Sequence, residues 1–222
     1  MHKRNPYPVV TKSAGTSSHK SLDGGSAIHR SSKRLLDVVG ALALLTFLAP
    51  MFLGILLAIL AESGRPAFSR RRCIGQYGHE FNLLTFRSST TAARDKNALT
   101  TVRTRTTYIG RLVVLAGLEH LPQLFNVLSG EMSLVGPQPF SKADDEYYAK
   151  KISNYAVRYQ AKPGLFGWAE LEGITGENPT LELIKRRVQF DNWYVANISF
   201  GLDLKILLRT LWHVLRGRPQ HL

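Results

Sequence analysis

The sequence predicts an α/β (α+β), mostly helical chain: a compact cytoplasmic domain carried on a re-entrant membrane helix. Three observations predict it. A single strongly apolar run, Leu35 to Ala61, stands out in a chain of 222 residues. Basic residues flank that run on both sides, and Pro50 falls at its middle. Beyond it, apolar residues recur at helical spacing in several blocks, separated by short strand-like pieces and glycine- or proline-marked turns.

Charge and cysteine content narrow the setting. The formal charge is +13 and the isoelectric point is near 10.1, so an anionic partner is expected. Nucleic acid, anionic lipid and phosphorylated substrates carry the right sign. The basic residues are scattered and no recognition-helix pattern stands out, so no nucleic-acid partner is expected. Cys73, the one cysteine, excludes an internal disulfide framework and suits a reducing compartment. No secretory signal is expected, because the first apolar run begins only near Leu35 and no small-residue cleavage site follows it.

Met1 to Ser32 is rich in Ser, Gly, Thr, Lys and His, with almost no periodic apolar residues, and reads as a disordered basic tail (1–32). Residues 33–62 form the membrane element. Straight, Leu35 to Ala61 would measure roughly 40 Å, against a hydrocarbon core of about 30 Å. A spanning helix is the simplest expectation, but Lys33 and Arg34 precede the run and Arg65, Arg70, Arg71 and Arg72 follow it. The positive-inside rule therefore places both ends in the cytoplasm, and Pro50 supplies a point at which the helix can bend back. Asp37 is spaced to pair with Lys33 and Arg34 at the interface.

Residues 63–222 are expected to form the cytoplasmic domain. Ser63 to Ser89 is polar and glycine-marked, with a strand-like piece at Phe81 to Phe86. Its arginine run, Arg70 to Arg72, suits phosphate or a membrane surface equally. Thr90 to Ala116 reads as polar and irregular, with Arg94, Lys96, Arg103 and Arg105. Pro122 then opens a helix in which Leu124, Val127 and Leu128 recur at helical spacing and Gly130 is the stop. Glu119 and His120 fall just before it, where a helix's positive end favours anions. A capping acid and an ordinary histidine fit that place too, so local chemistry leaves catalysis and capping both open. Met132 to Val135 is a short apolar run ended by Gly136-Pro137-Gln138-Pro139. Ser141 to Tyr159 is helix-compatible, Lys162-Pro163-Gly164 is a turn, and Leu181 to Leu215 returns to helix. Trp193, Tyr194 and Trp212, with Arg209, Arg216 and Arg218, suit a membrane interface, and the Trp and Tyr residues suit an ordinary core equally.

The stretch Gly117 to Phe140 resembles the signature of the bacterial sugar transferases, the monotopic phosphoglycosyl transferases. Leu118, Leu121, Pro122, Gln123, Leu124, Asn126, Val127, Leu128 and the run Gly130 to Pro137 all match. Three positions depart: Glu119 stands for Asp, His120 for Glu and Gln138 for Arg. The likeness extends to Lys33-Arg34 with Asp37, to Ile109-Gly110-Arg111, to Phe86-Arg87, and to Arg158 with Lys162-Pro163-Gly164 and Gly167-Trp168-Ala169. It covers Lys33 to about Leu215. Cys73, Thr85 and the Val113-Val114-Leu115 run also depart from the family pattern.

The resemblance implies transfer of a sugar-1-phosphate from a nucleoside diphosphate sugar to a polyprenyl (undecaprenyl) phosphate. The setting would be the cytoplasmic face of a bacterial inner membrane, at the start of exopolysaccharide or glycan assembly, with Mg²⁺. Glu119 then takes the place of the nucleophile and His120 that of a metal-positioning glutamate; no set of metal ligands can be named. Arg87, Arg111, Gln138, Arg158 and Lys162 become the candidate substrate-binding residues. Fixed cations beside glycine-rich backbone suit phosphate oxygens. Anionic lipid is an expected partner and a homo-oligomer is left open. Because the substituted positions are the chemical ones, a catalytically impaired homologue with a binding or regulatory role is the alternative.

Overall fold

The structure, a computed structural model, describes residues 23–91, 104–174 and 180–216. Most of the expected basic tail, together with Arg94, Lys96 and Arg103, lies outside these. One long helix, α1 (Asp23–Ser63), leads the chain, with Pro50 inside it. It begins ten residues before the expected membrane element, so the end of the stretch read as disordered is helical. An antiparallel hairpin follows, β1 (Phe68–Ile74) with β2 (Glu80–Phe86), in the register Phe68 opposite Phe86. A small antiparallel pair, β3 (Ser89–Thr91) and β4 (Thr104–Thr106), leads to helix α2 (Tyr108–Leu115). That helix corrects the expectation of an irregular segment: Thr107 caps it, its hydroxyl accepting from Gly110 N–H, and Val113 is its buried anchor.

A 3₁₀ turn at Leu118–His120 opens from Gly117, which sits at φ 68° in the left-handed region that favours glycine. Helix α3 (Gln123–Ser129) begins directly after Pro122, as its sequence predicts, and ends at Gly130 with φ 87°. Strand β5 (Ser133–Val135) pairs in parallel with β6 (Gly164–Phe166). Between them lie α4 (Lys142–Lys151) and a 3₁₀ segment, Tyr155–Gln160. The short α5 (Trp168–Leu171), then α6 (Leu181–Ala196) and α7 (Phe200–Leu215), complete the chain. The expected C-terminal helix is thus two helices, broken before Ser199, whose hydroxyl caps α7 by accepting from Leu202 N–H.

The first part of α1 is built into the core. Ala41 is fully buried against Leu124, Val127, Leu134 and Ile206, while Ile59 packs with Ala67, Phe86 and Val113. Phe52 lies edge-on to Phe125 of α3, ring centroids 5.8 Å apart. Burying side chains of this size stabilises by about 1.5–3 kcal/mol each.

Polar contacts fix the register of α1. The Lys33 ammonium donates to the Val135 carbonyl (3.0 Å), the Tyr194 hydroxyl (3.2 Å) and the Asp203 carboxylate (2.7 Å). Arg34 donates to the Val127 and Leu128 carbonyls, both 2.7 Å, closing the C-terminal end of α3. Asp37 does not pair with either of them. Its carboxylate accepts from the Ser133 hydroxyl and Leu134 N–H, both 2.8 Å. The physical reason is burial: at 3% exposure Asp37 faces a hydroxyl and a backbone N–H of β5, and each cation has a better-placed acceptor. At the other end, Glu62 accepts from Tyr108 and Ile109 N–H (2.6 and 2.9 Å) and tethers α2. Of the two readings open for Tyr194, interface and core, the structure takes the core: the residue is 1% exposed and donates to Asp203 at 2.6 Å. Trp193 stacks on Trp168 (5.3 Å), whereas Trp212 is exposed with Arg216 over its ring.

Candidate active site

Glu119 and His120 sit on the 118–120 turn, which Leu118 and Leu121 seat on the cluster around Ile59, Phe86 and Val113. The side chains of Glu119 and His120 are 25% and 16% exposed, so the pair stands at the rim of the core, open on one side. His120 Nε2 lies 3.4 Å from Glu119 Oε1. On the other side of the ring, Gln123 Nε2 lies 2.7 Å from His120 Nδ1. Gln123 is 4% exposed. The turn packs against β2 and α2. Those elements bring in Arg87, which directly follows β2 and donates to the Pro66 carbonyl at 3.3 Å, and Arg111, which is exposed on α2.

The remaining candidates lie elsewhere. Gln138 and Arg158 border an open recess with about 230 Å³ of empty space, walled also by Ile74, Pro139, Phe140 and Asp145. Glu119 and His120 are not among its walls. Arg158 is buried and engaged: it donates to the Gln138 carbonyl and to the Tyr155 hydroxyl at 3.0 Å, and pairs with Asp191 at 3.2 Å. It therefore holds the wall of the recess rather than presenting a free cation to it. Asp145 accepts from both Tyr155 and Tyr159, and burial pushes both phenols well above the usual tyrosine range. Lys162 is half-buried near α1. Burial, with Arg34 and Lys33 adding repulsion against the opposing pull of Asp37, holds its ammonium below the usual lysine range. Among the described residues, no acceptor meets that ammonium.

Two residues to which sequence reasoning gave no role organise this region. Asn126, 2% exposed, donates to the Asn82 carbonyl (2.8 Å) and to Glu131 (2.7 Å) and accepts from Leu84 N–H (3.0 Å). It locks α3 to β2. Gln123 does the comparable service for His120. The available signal was a pair of amides three residues apart on the otherwise apolar core face of a helix.

The family model for bacterial sugar transferases matches residues 28–217. The chain belongs to the bacterial sugar transferase family. It is 42% identical over 181 residues to the UDP-glucose:undecaprenyl-phosphate glucose-1-phosphate transferase of Caulobacter vibrioides, covering 81% of this chain and 68% of that protein. A protein of the same name in Escherichia coli K12 is 35% identical over 189 residues, 84% of this chain and 41% of that one. The UDP-N-acetylgalactosamine-undecaprenyl-phosphate N-acetylgalactosaminephosphotransferase of Aeromonas hydrophila is 28% identical over 194 residues, 86% of this chain and 45% of that protein. The chain thus spans about two thirds of the first relative and less than half of the other two. For this bacterial sugar transferase, the three departures at Glu119, His120 and Gln138 fall inside the matched region.

Proposed function

We infer that this chain transfers a sugar-1-phosphate from a UDP-sugar to undecaprenyl phosphate, the first step in building an exopolysaccharide or related glycan. One observation carries the reading: a half-buried carboxylate, Glu119, lies 3.4 Å from an imidazole on the 118–120 turn, within the region that matches the family. Glu119 attacks the β-phosphorus of the nucleoside diphosphate sugar. A carboxylate O–P bond forms, and the bond from that phosphorus to the bridging oxygen breaks, releasing nucleoside monophosphate with the electron pair. A phosphate oxygen of the polyprenyl phosphate then attacks the same phosphorus. The carboxylate leaves, and polyprenyl diphosphate sugar is the product. The open ammonium of Lys162 and the exposed Arg111 guanidinium suit the phosphates of the two substrates. The non-catalytic alternative is not carried further, because the relatives are named as transferases.

Mg²⁺ belongs to this proposal in a restricted form. Among the described residues no group of three or more His, Cys, Asp or Glu side chains converges. His120 has one nitrogen facing Gln123 and the other facing Glu119, and imidazole suits Mg²⁺ poorly. The donor set fits an ion carried chiefly by substrate phosphates, whose charge it would neutralise, rather than one held in a protein cage.

The re-entrant course of α1 is supported by where its polar ends are bonded. Lys33, Arg34 and Asp37 at one end and Glu62 at the other all bind the same domain. A spanning helix would separate them by about 30 Å of hydrocarbon. The exposed Leu35, Val39, Leu42, Phe47, Leu53 and Leu57 then meet lipid on the cytoplasmic side of the inner membrane, and the basic residues suit anionic headgroups.

Release of UMP from a panel of UDP-sugars, with undecaprenyl phosphate and Mg²⁺, tests the activity. UDP-glucose is the first donor to try. Glu119→Gln is expected to lower turnover by about 10³-fold or more; equal rates in both proteins would overturn the reading. For topology, single cysteines at Ser32 and Ser63 in a Cys73→Ser background are expected to resist an impermeant thiol reagent in intact cells and to react after lysis. Labelling of only one of them from outside would establish a spanning helix.

A further inference from the structure

We propose that Gln123 is a positioning residue for the nucleophile: it fixes the tautomer of His120, and through it the oxygen that Glu119 presents. The proposal rests on the reading of Glu119 as the nucleophile. Glu119, His120 and Gln123 form a line of carboxylate, imidazole and amide, with the ring between them at 3.4 and 2.7 Å. The amide nitrogen of Gln123 can only donate, so Nδ1 must accept and carries no proton. The ring's one N–H is then on Nε2, which faces Glu119 Oε1. The opposite tautomer would set the Nε2 lone pair against the carboxylate's own lone pairs.

The consequence is an asymmetric carboxylate. Oε1 faces an N–H donor, while Oε2 has no partner among the described residues and is the atom left to form the bond to phosphorus. The 3.4 Å separation is long for a hydrogen bond, as contacts in a site without substrate often are, and shortens when the reacting complex forms. His120 thereby steadies a nucleophile that has one methylene more than the family's aspartate. In this chain the exchange of Asp for Glu and of Glu for His work as one change. Burial enforces the arrangement. Gln123 is 4% exposed and starts α3 directly after Pro122, so its amide is anchored, while the Glu119 side chain is 25% exposed.

The test reads the tautomer directly. Protein labelled with ¹⁵N-histidine is placed in lipid nanodiscs without substrates, and the His120 ring signals are assigned by their loss in His120→Gln. The expected native spectrum shows a bare Nδ1 and a protonated Nε2. A protonated Nδ1 in the native protein overturns the proposal without recourse to any variant. In Gln123→Met, which is close in volume, Nδ1 is expected to lose its fixed bare state. In Gln123→Glu, an acceptor faces the ring and Nδ1 is expected to be protonated. An unchanged ring state in both variants, with native-like thermal midpoints, also overturns it. In turnover assays Gln123→Met should lower kcat by about 10- to 100-fold with KM for the UDP-sugar within about 2-fold of native, because orientation of Oε2 acts at the bond-forming step. Equal losses in kcat and in donor binding would instead mean that Gln123 only supports the fold. Absence of turnover in the native protein would sink the transferase reading while leaving the tautomer result intact.

Discussion

Lys33→Met is the sharpest test of how α1 is joined to the domain. The Lys33 side chain is 15% exposed and the Asp203 side chain is fully enclosed, with 2.7 Å between ammonium and carboxylate. At that separation and an effective dielectric of about 20, the gross attraction is about 6 kcal/mol, most of which offsets the cost of taking a carboxylate out of water. Methionine keeps the length of the stem but removes the charge. Among the described residues Asp203 is then left with the Tyr194 hydroxyl as its side-chain donor, and the Val135 carbonyl loses the Lys33 donor and keeps only the longer contact from the same Tyr194 hydroxyl, at 3.2 Å. Breaking one side of a buried pair costs about 3–5 kcal/mol. In a domain of this size that corresponds to a fall of roughly 6–20 °C in the unfolding midpoint. Thermal unfolding in nanodiscs, followed by tryptophan fluorescence, measures it. The double variant Lys33→Met, Asp203→Leu should recover more than half of the loss, because no unpaired charge remains. A single variant that loses less than about 1 kcal/mol, or a double variant no better than the single, would refute the reasoning.

Gly164→Ala should prevent correct assembly, since its added Cβ would lie 2.0 Å from Gly136 N and 2.5 Å from Gly136 Cα. The β5–β6 pair cannot yield without separating, and loss of folded protein from the membrane fraction would report it. Gly201→Ala on α7, where a Cβ meets nothing within 4 Å, is the control and should stabilise by about 0.5–1 kcal/mol in an unfolding titration. Lys162→Met should raise the unfolding midpoint near neutral pH, because the charged ammonium is less favourable in the folded state than in the unfolded one. That penalty is full at neutral pH and fades as the pH climbs from the depressed folded value to the ordinary 10.5. The gain should therefore vanish in midpoints measured above about pH 11; a gain that persists there would mean that burial of the charge is not its source. The same variant should raise KM for the nucleotide sugar in the UMP-release assay.

The elements that were legible in the sequence are those whose signals are local. Pro122 and Gly130 bracket α3 because a missing N–H and a left-handed φ are properties of single residues. Phe81 to Phe86 and Met132 to Val135 became strands β2 and β5 because short apolar runs bounded by turns have few other uses. Helix α2 was missed because its evidence, the Thr107 cap and the Val113 anchor, is one residue of each kind beside a polar stretch. The break between α6 and α7 was missed because Asn197 to Ser199 contains neither proline nor glycine. Glu119 and His120 were legible as a pair. The partner that orders the ring was not, because a buried glutamine has no distinguishing pattern until the turn brings it onto an imidazole. Asp37 was misassigned for the opposite reason. Two cations close in sequence made a plausible local pairing, while its actual donors on β5 are 96 and 97 residues away. Arg158 follows the same lesson, since its cationic character is visible in sequence and its enclosure by Tyr155, Asp191 and Phe140 is not.

The bolt that Lys33 forms with Asp203 spans 170 residues of chain, which sets an order of events during synthesis. At about 5–20 residues per second, Lys33 leaves the ribosome roughly 10–30 s before its partner carboxylate does. Arg34 and Asp37 wait for α3 and β5 as well, although for shorter times. On the proposed membrane placement of α1, the apolar helix enters the bilayer during that interval while its polar end has none of its final partners. The basic pair can meanwhile rest on lipid phosphates, so the arriving domain has to displace headgroups in order to dock. On that placement, maturation is a competition at the membrane surface, and anionic lipid that favours early insertion also slows the final closure.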